Sequence, residues 1–155
     1  MGDENLDEFA AAAAGEGPLR EYLETAAEGM VGADGEQMRE ELGSLVAKPD
    51  FEALQGEYAD FAATLLGDGV ADGIWGWFDD DMAFEKHWGF ELPQIERPVA
   101  IWHGAQDMFV PVSHGEWLAA AVPGAESFIE ADHGHMSRLG LGYGAVLDQL
   151  LAAAG

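Results

Sequence analysis

The chain has 155 residues, enough for one domain with its own hydrophobic core and too few for two large ones. Its 30 acidic and 6 basic side chains leave a net charge of -24, which excludes nucleic acid and an anionic membrane surface as partners, since both need clustered Lys and Arg. The absence of Cys removes disulfides, thiolate metal sites and a Cys nucleophile, while 26 Ala against 12 Ile and Val together point to a helix-rich chain with few strands.

Asp3, Glu4, Asp7 and Glu8 stand where a secretory signal would be basic, and the apolar run at residues 9–14 is far short of a membrane span. The expectation is an unexported, cytoplasmic protein. Asn5, three residues before Glu8, reads as a capping box that opens an Ala-rich helix with Leu6, Phe9, Ala10 and Ala13 on one face. After Gly15, the residues Leu19, Tyr22, Leu23, Ala26 and Met30 trace a second helix. Asp34 opens a third, carrying Met38, Leu42, Leu45 and Val46, before Lys48-Pro49 interrupts it. Phe51, Leu54, Tyr58, Phe61 and Leu65 then recur at spacings of 3, 4, 3 and 4, with Glu52, Glu57 and Asp60 between them. This stripe is expected to face a core and the acids to face water.

Residues 73–90 are rich in aromatics, among them Trp75, Trp77, Phe78 and Trp88. Asp79, Asp80 and Asp81 lack the alternating spacing of a calcium loop and are expected in a turn or at a helix start, where the dipole tolerates them. The composition changes at Arg97-Pro98: residues 1–97 hold 24 acidic and 5 basic side chains, residues 98–155 only 6 and 1. Residues 99–102 read as a buried strand, 113–121 as a helix with Trp117 and Leu118, and 127–129 as a second strand. A last helix carries Val146, Leu147, Leu150 and Leu151. Strand, helix, strand, helix implies a parallel pair with a right-handed crossover.

In such a pair the segments that follow the two strands emerge at the same sheet edge, where open α/β folds build their sites. One is His103-Gly-Ala-Gln-Asp107 and the other Asp132-His133-Gly134-His135. Topology thus brings a carboxylate and an imidazole together, a pairing suited to general-base work: the carboxylate fixes the tautomer and stabilises the imidazolium that forms. His133 and His135, with Asp132 or Asp107, form a lesser metal-binding alternative, because His-x-His on an extended segment puts both rings on one side.

These segments resemble the C-terminal part of the α/β-hydrolases. Residues 98–107 end in His103-Gly104-Ala-Gln-Asp107, and Val110-Pro111, the stretch 122–125 and Gly134-His135 follow in that family's order. Residues 1–97 are similar to the helical cap of proline iminopeptidase-like members, notably at residues 5–9, at 76–80 and at Trp88-Gly89-Phe90. The resemblance implies an α/β fold, mostly helical by content, with a cap at 1–97 and the last two parallel strands and their helices at 98–155. It implies Asp107 as triad acid and His135 as triad base, and substrate contacts from Trp75, Trp77, Phe78 and Trp88. The implied activity is hydrolysis of an ester, amide or peptide bond in a small molecule or short peptide, without a cofactor.

The family's nucleophile sits in Gly-x-Ser-x-Gly, ahead of the acid and the histidine. Ser44, Ser113, Ser127 and Ser137 are the four serines here, and none lies in that motif. Ser137 is expected to bond a backbone group and Ser113 to cap the helix after Pro111. The reading is therefore a C-terminal portion of a capped serine hydrolase whose Ser lies upstream, completed by an N-terminal half or by self-association. The alternative is an acidic interaction module that keeps the Asp/His pair without a nucleophile. In either case the first strand is expected to have an unpaired edge.

Overall fold

The computed structural model describes residues 1–140 and 143–154. It is mostly helical. Helices α1 (Asp3–Ala14), α2 (Glu16–Met30) and α3 (Gly35–Glu41) are followed by a 3-10 turn at Gly43–Leu45, then α4 (Lys48–Ala53), α5 (Gly56–Val70) and α6 (Trp75–Phe84). A second 3-10 turn at Leu92–Gln94 leads into β1 (Ala100–Gly104), α7 (Val112–Ala121), β2 (Glu126–Glu130), α8 (His135–Gly140) and α9 (Gly144–Ala154). No helix among the described residues is long and apolar enough to cross a membrane.

The Ala run gives α1 high helix propensity, and Gly15, at φ +111°, makes the turn into α2 that a residue with a Cβ would resist. The cap of α1 differs from expectation. Gly2 occupies the cap position and the helix starts at Asp3, because Asn5 and Glu8 are drawn into longer-range bonds described below. The third helix starts as expected: Asp34 accepts from the backbone N–H groups of Glu36 and Gln37, and the Gln37 side chain accepts from Asp34 N–H.

Residues 51–65 do not form one helix. Leu54 and Gln55 leave helical geometry, and Gly56, at φ +52°, restarts the chain as α5. The break rotates the stripe. Leu54 is buried and Tyr58 half-buried, but Phe51, Phe61 and Leu65 are exposed, and α5 packs instead through Ala59, Ala62, Ala63 and Gly67. Small side chains let helices approach closely, so the Ala face wins over the bulkier one.

The apolar core lies in this helical part. One cluster joins Ala12, Leu19, Leu23, Ala27, Val70 and Ile74; a second joins Met38, Leu42, Leu45 and Ala63; a third joins Leu54, Ala59 and Ala62. The two strands pair in parallel, Ala100 opposite Glu126 through Gly104 opposite Glu130, with α7 as the crossover packed on both. Trp102 stacks on Phe128 at 4.3 Å across the ladder. Contrary to expectation β1 is only half-buried, with Gly104 alone fully covered, because a two-stranded sheet leaves each strand an open edge.

Candidate active site

Both candidate site segments leave the C-terminal ends of the strands, and glycine lets them meet. A Cβ on Gly104 would lie 2.3 Å from the Gly134 carbonyl oxygen, so the turn after β2 crosses directly over the end of β1. Gln106 N–H donates to the His133 carbonyl at 2.9 Å and Ala105 N–H to that of Glu130 at 2.9 Å, locking the two loops together.

Asp107 and His135 are in contact. Nδ1 of His135 lies 2.8 Å from Oδ2 of Asp107, whose other oxygen accepts from the Val110 N–H at 2.7 Å. Asp107 is buried, which raises its pKa, but the hydrogen bonds from His135 and Val110 and the nearby His135 and His103 rings outweigh this and hold it below the ordinary carboxylate value. An ionised carboxylate can only accept, so the Nδ1 atom carries the proton, and in the neutral ring Nε2 is then the acceptor. The His135 side chain keeps 35% of its exposure, enough for Nε2 to meet a reactant. Among the described residues nothing is hydrogen-bonded to Nε2.

Two supporting rings were not foreseen. Phe109 stacks on His135 with centroids 4.7 Å apart, and His103 donates from Nε2 to the Val110 carbonyl at 2.9 Å while lying 3.7 Å from Asp107 Oδ2. His103 was legible as the first residue of the Asp107 segment, but not as a neighbour of its carboxylate. The third omission is Asp50, buried under the His135 turn; its position after Lys48-Pro49 signals a helix start and nothing about its partners.

His135 opens onto a cavity of about 1120 Å³ whose wall is mostly apolar. Trp77 and Trp88 line it, as do Phe109 and Trp117; Trp75 and Phe78 lie outside it. Trp75 is exposed and meets Phe78 edge to face, and Phe78 packs against the cluster around Leu19 and Leu23. In the same lining Trp77 donates from Nε1 to Glu8 at 2.6 Å, beside the buried carboxyl of Asp81. The three consecutive acids therefore sit inside α6 and not in a turn or at its start; Ile74 is the cap, and the helix continues through them because Trp77, Phe78 and Met82 on either side pack against the cluster around Leu19 and Leu23. Burial and the neighbouring Glu8 and Asp80 charges push the Asp81 carboxyl up to about 7.

The serines are engaged elsewhere. Ser137 Oγ accepts from the Gly134 N–H at 2.8 Å, the backbone role expected of it, and Ser44 binds Glu4 and the Asp3 N–H. Ser113 does not cap α7, whose cap position is Pro111, and Ser127 lies in β2. His135 begins a helix, so it and His133 do not share an extended segment, and no group of three or more His, Asp or Glu among the described residues comes together to hold a metal. No family model, curated protein or solved structure matches the chain.

Proposed function

We propose that this chain supplies the acid and base of a serine-hydrolase site, with Asp107 holding and polarising His135 and Nε2 of His135 taking the proton of a hydroxyl nucleophile contributed from outside these 155 residues. The reaction class is acyl transfer to water from an ester, amide or peptide bond, and the fold is the C-terminal part of a capped α/β-hydrolase. The observation that carries the reading is the 2.8 Å contact between Nδ1 and the buried, ionised Asp107, on a His135 that lines a large apolar cavity. In the reaction His135 becomes imidazolium, is stabilised by Asp107 without taking its proton, and returns the proton to the leaving group. Trp77 and Trp88 contribute apolar wall for the substrate. The open edge of β1 is where a further strand of the completed sheet would pair.

The test is turnover of an activated ester by a protein that combines this chain with a Gly-x-Ser-x-Gly strand, in one reading frame or as two polypeptides. His135→Ala is expected to lower kcat by about 10⁶-fold. Unchanged turnover would remove His135 from the mechanism.

A second reading, an acidic interaction module without catalysis, is favoured by one observation: no serine hydroxyl among the described residues reaches His135 Nε2. A fluorophosphonate probe separates the two on the chain combined with the Gly-x-Ser-x-Gly complement. Covalent labelling of the complement's serine that is lost in His135→Ala would sink the module reading, and no labelling would favour it.

A further inference from the structure

Asp50 is fully buried, at 0% exposure, and belongs to α4 in the helical part of the molecule. Its carboxylate accepts from two backbone N–H groups of the turn that delivers the candidate base: that of His135, at 3.1 Å, and that of Ser137, at 2.7 Å. A carboxylate taken wholly out of water is costly unless its oxygens are hydrogen-bonded, and these donors supply one bond to each oxygen from the far end of the chain. Gly134 is shaped to the same contact. A Cβ there would lie 2.3 Å from Asp50 Oδ2, so the turn can rest on the carboxylate only as glycine.

We propose that Asp50 is a positioning residue for His135, fixing from the helical region the backbone whose side chain Asp107 fixes from the sheet. The inference rests on His135 acting as the base. The imidazole is then held at three points: its amide by Asp50, its Nδ1 by Asp107 and its ring face by Phe109. Side-chain tethers alone leave the Cα free to drift, and a catalytic group displaced by about 0.5 Å or more loses productive geometry. Asp50 reaches neither the Asp107 carboxyl nor the cavity wall, so its effect belongs to the orientation of the base and not to substrate binding.

The experiment is proton NMR of the 155-residue protein. The His135 Nδ1 proton, bonded to an ionised carboxylate, is expected as a slowly exchanging downfield resonance in the wild type. Asp50→Asn keeps the shape but turns an amide NH₂ toward donors; the resonance is expected to broaden or vanish while the rest of the spectrum stays dispersed. Gly134→Ala, which pushes the turn off the carboxylate and leaves Asp50 in place, should do the same. Tyr58→Phe is the control, because it cuts a different bond to this turn, from Tyr58 Oη–H to the Met136 carbonyl, and should keep the signal. With the nucleophile-bearing complement present, Asp50→Asn should lower kcat at least about tenfold with KM unchanged.

An unchanged resonance in either folded variant, or no such resonance in the wild type, overturns the proposal. Loss of fold in both variants while Tyr58→Phe folds also overturns it, since Asp50 would then be holding up the structure and not orienting the base. If the complemented wild type turns over no ester but the resonance responds as expected, the hydrolase reading fails and the Asp50 tether stands.

Discussion

Among the described residues, fourteen of the fifteen buried apolar side chains lie in residues 1–97, and Val122 alone lies beyond Pro98. Yet the second region holds Asp107 and His135. Among the described residues, the region with the chemistry thus has no buried apolar cluster of its own. Polar bonds tie it to the helical region: the Gly2 N–H to the Met108 carbonyl, Asn5 Nδ2 to the Phe109 carbonyl, Tyr58 to Met136, and Asp50 to the His135 turn. Burial fixes the first region without specifying direction, whereas directional bonds fix the second to the accuracy that proton transfer needs.

The largest effect expected from this contrast is on stability. Leu23→Ala, at a site with 0% exposure, should cost about 2–5 kcal/mol in urea unfolding, from lost transfer energy and the cavity left behind. Leu150→Ala, on the exposed face of α9, should stay within about 0.5 kcal/mol. Comparable losses at the two sites would break the contrast by showing that α9 belongs to a second core.

Next in size are two pH dependences of opposite sign, one in each region. Asp81 has its carboxyl raised to about 7 in the folded protein by burial and by Glu8 and Asp80. Unfolded, it ionises near the ordinary value of 3.8. Between those values the unfolded state has released a proton that the folded state keeps, so the Asp81 contribution to stability falls as pH rises from about 4 to about 7 and is level above. Asp107 is the reverse case: lowered in the fold, it contributes stability above the ordinary carboxylate value that is lost as pH drops through its folded value. Thermal melts from pH 3 to 8 check both. Asp81→Asn should flatten the slope between pH 4 and 7 and leave the acid limb, and Asp107→Asn should reduce the acid limb alone.

The same division explains what the sequence could tell. Strand, crossover helix and strand were legible because apolar runs bounded by Gly and Pro are local signals, and chain topology then forced Asp107 and His135 to one edge. The expected stripe of residues 51–65 failed because its spacing presumes an unbroken helix, and Gly56 resets the phase. Asp50, Glu8 and Asp81 were out of reach for another reason. Each is a carboxylate in an acid-rich chain, and what sets it apart is a partner far away in sequence: His135 for Asp50, and Trp77 for Glu8. No period or motif encodes such a pairing. Phe109 is similar, since its stacking on His135 depends on how the loop after β1 folds back.

The smallest effect sharpens the claim that bonds across the seam matter more than equivalent bonds within a region. Tyr58 donates its hydroxyl to the Met136 carbonyl at 2.7 Å, from α5 to α8, and burial, with the Asp50 and Tyr143 charges, raises its pKa so that it remains a donor at every pH where the protein would be studied. Thr64 makes a bond of similar length, 2.9 Å, to the Asp60 carbonyl inside α5, on an exposed face. Tyr58→Phe leaves a half-buried carbonyl without its donor and should cost about 1 kcal/mol, whereas Thr64→Val removes a bond that water replaces and should stay within about 0.5 kcal/mol. Hydrogen exchange adds the regional readout: Tyr58→Phe should speed exchange at the α8 amides beyond Ser137 and leave unchanged those that Asp50 holds and those of α1 and α2, because opening at the seam does not require the core to open. Uniform acceleration across both regions would mean that they unfold as one unit, and the seam would then be no weaker than the core.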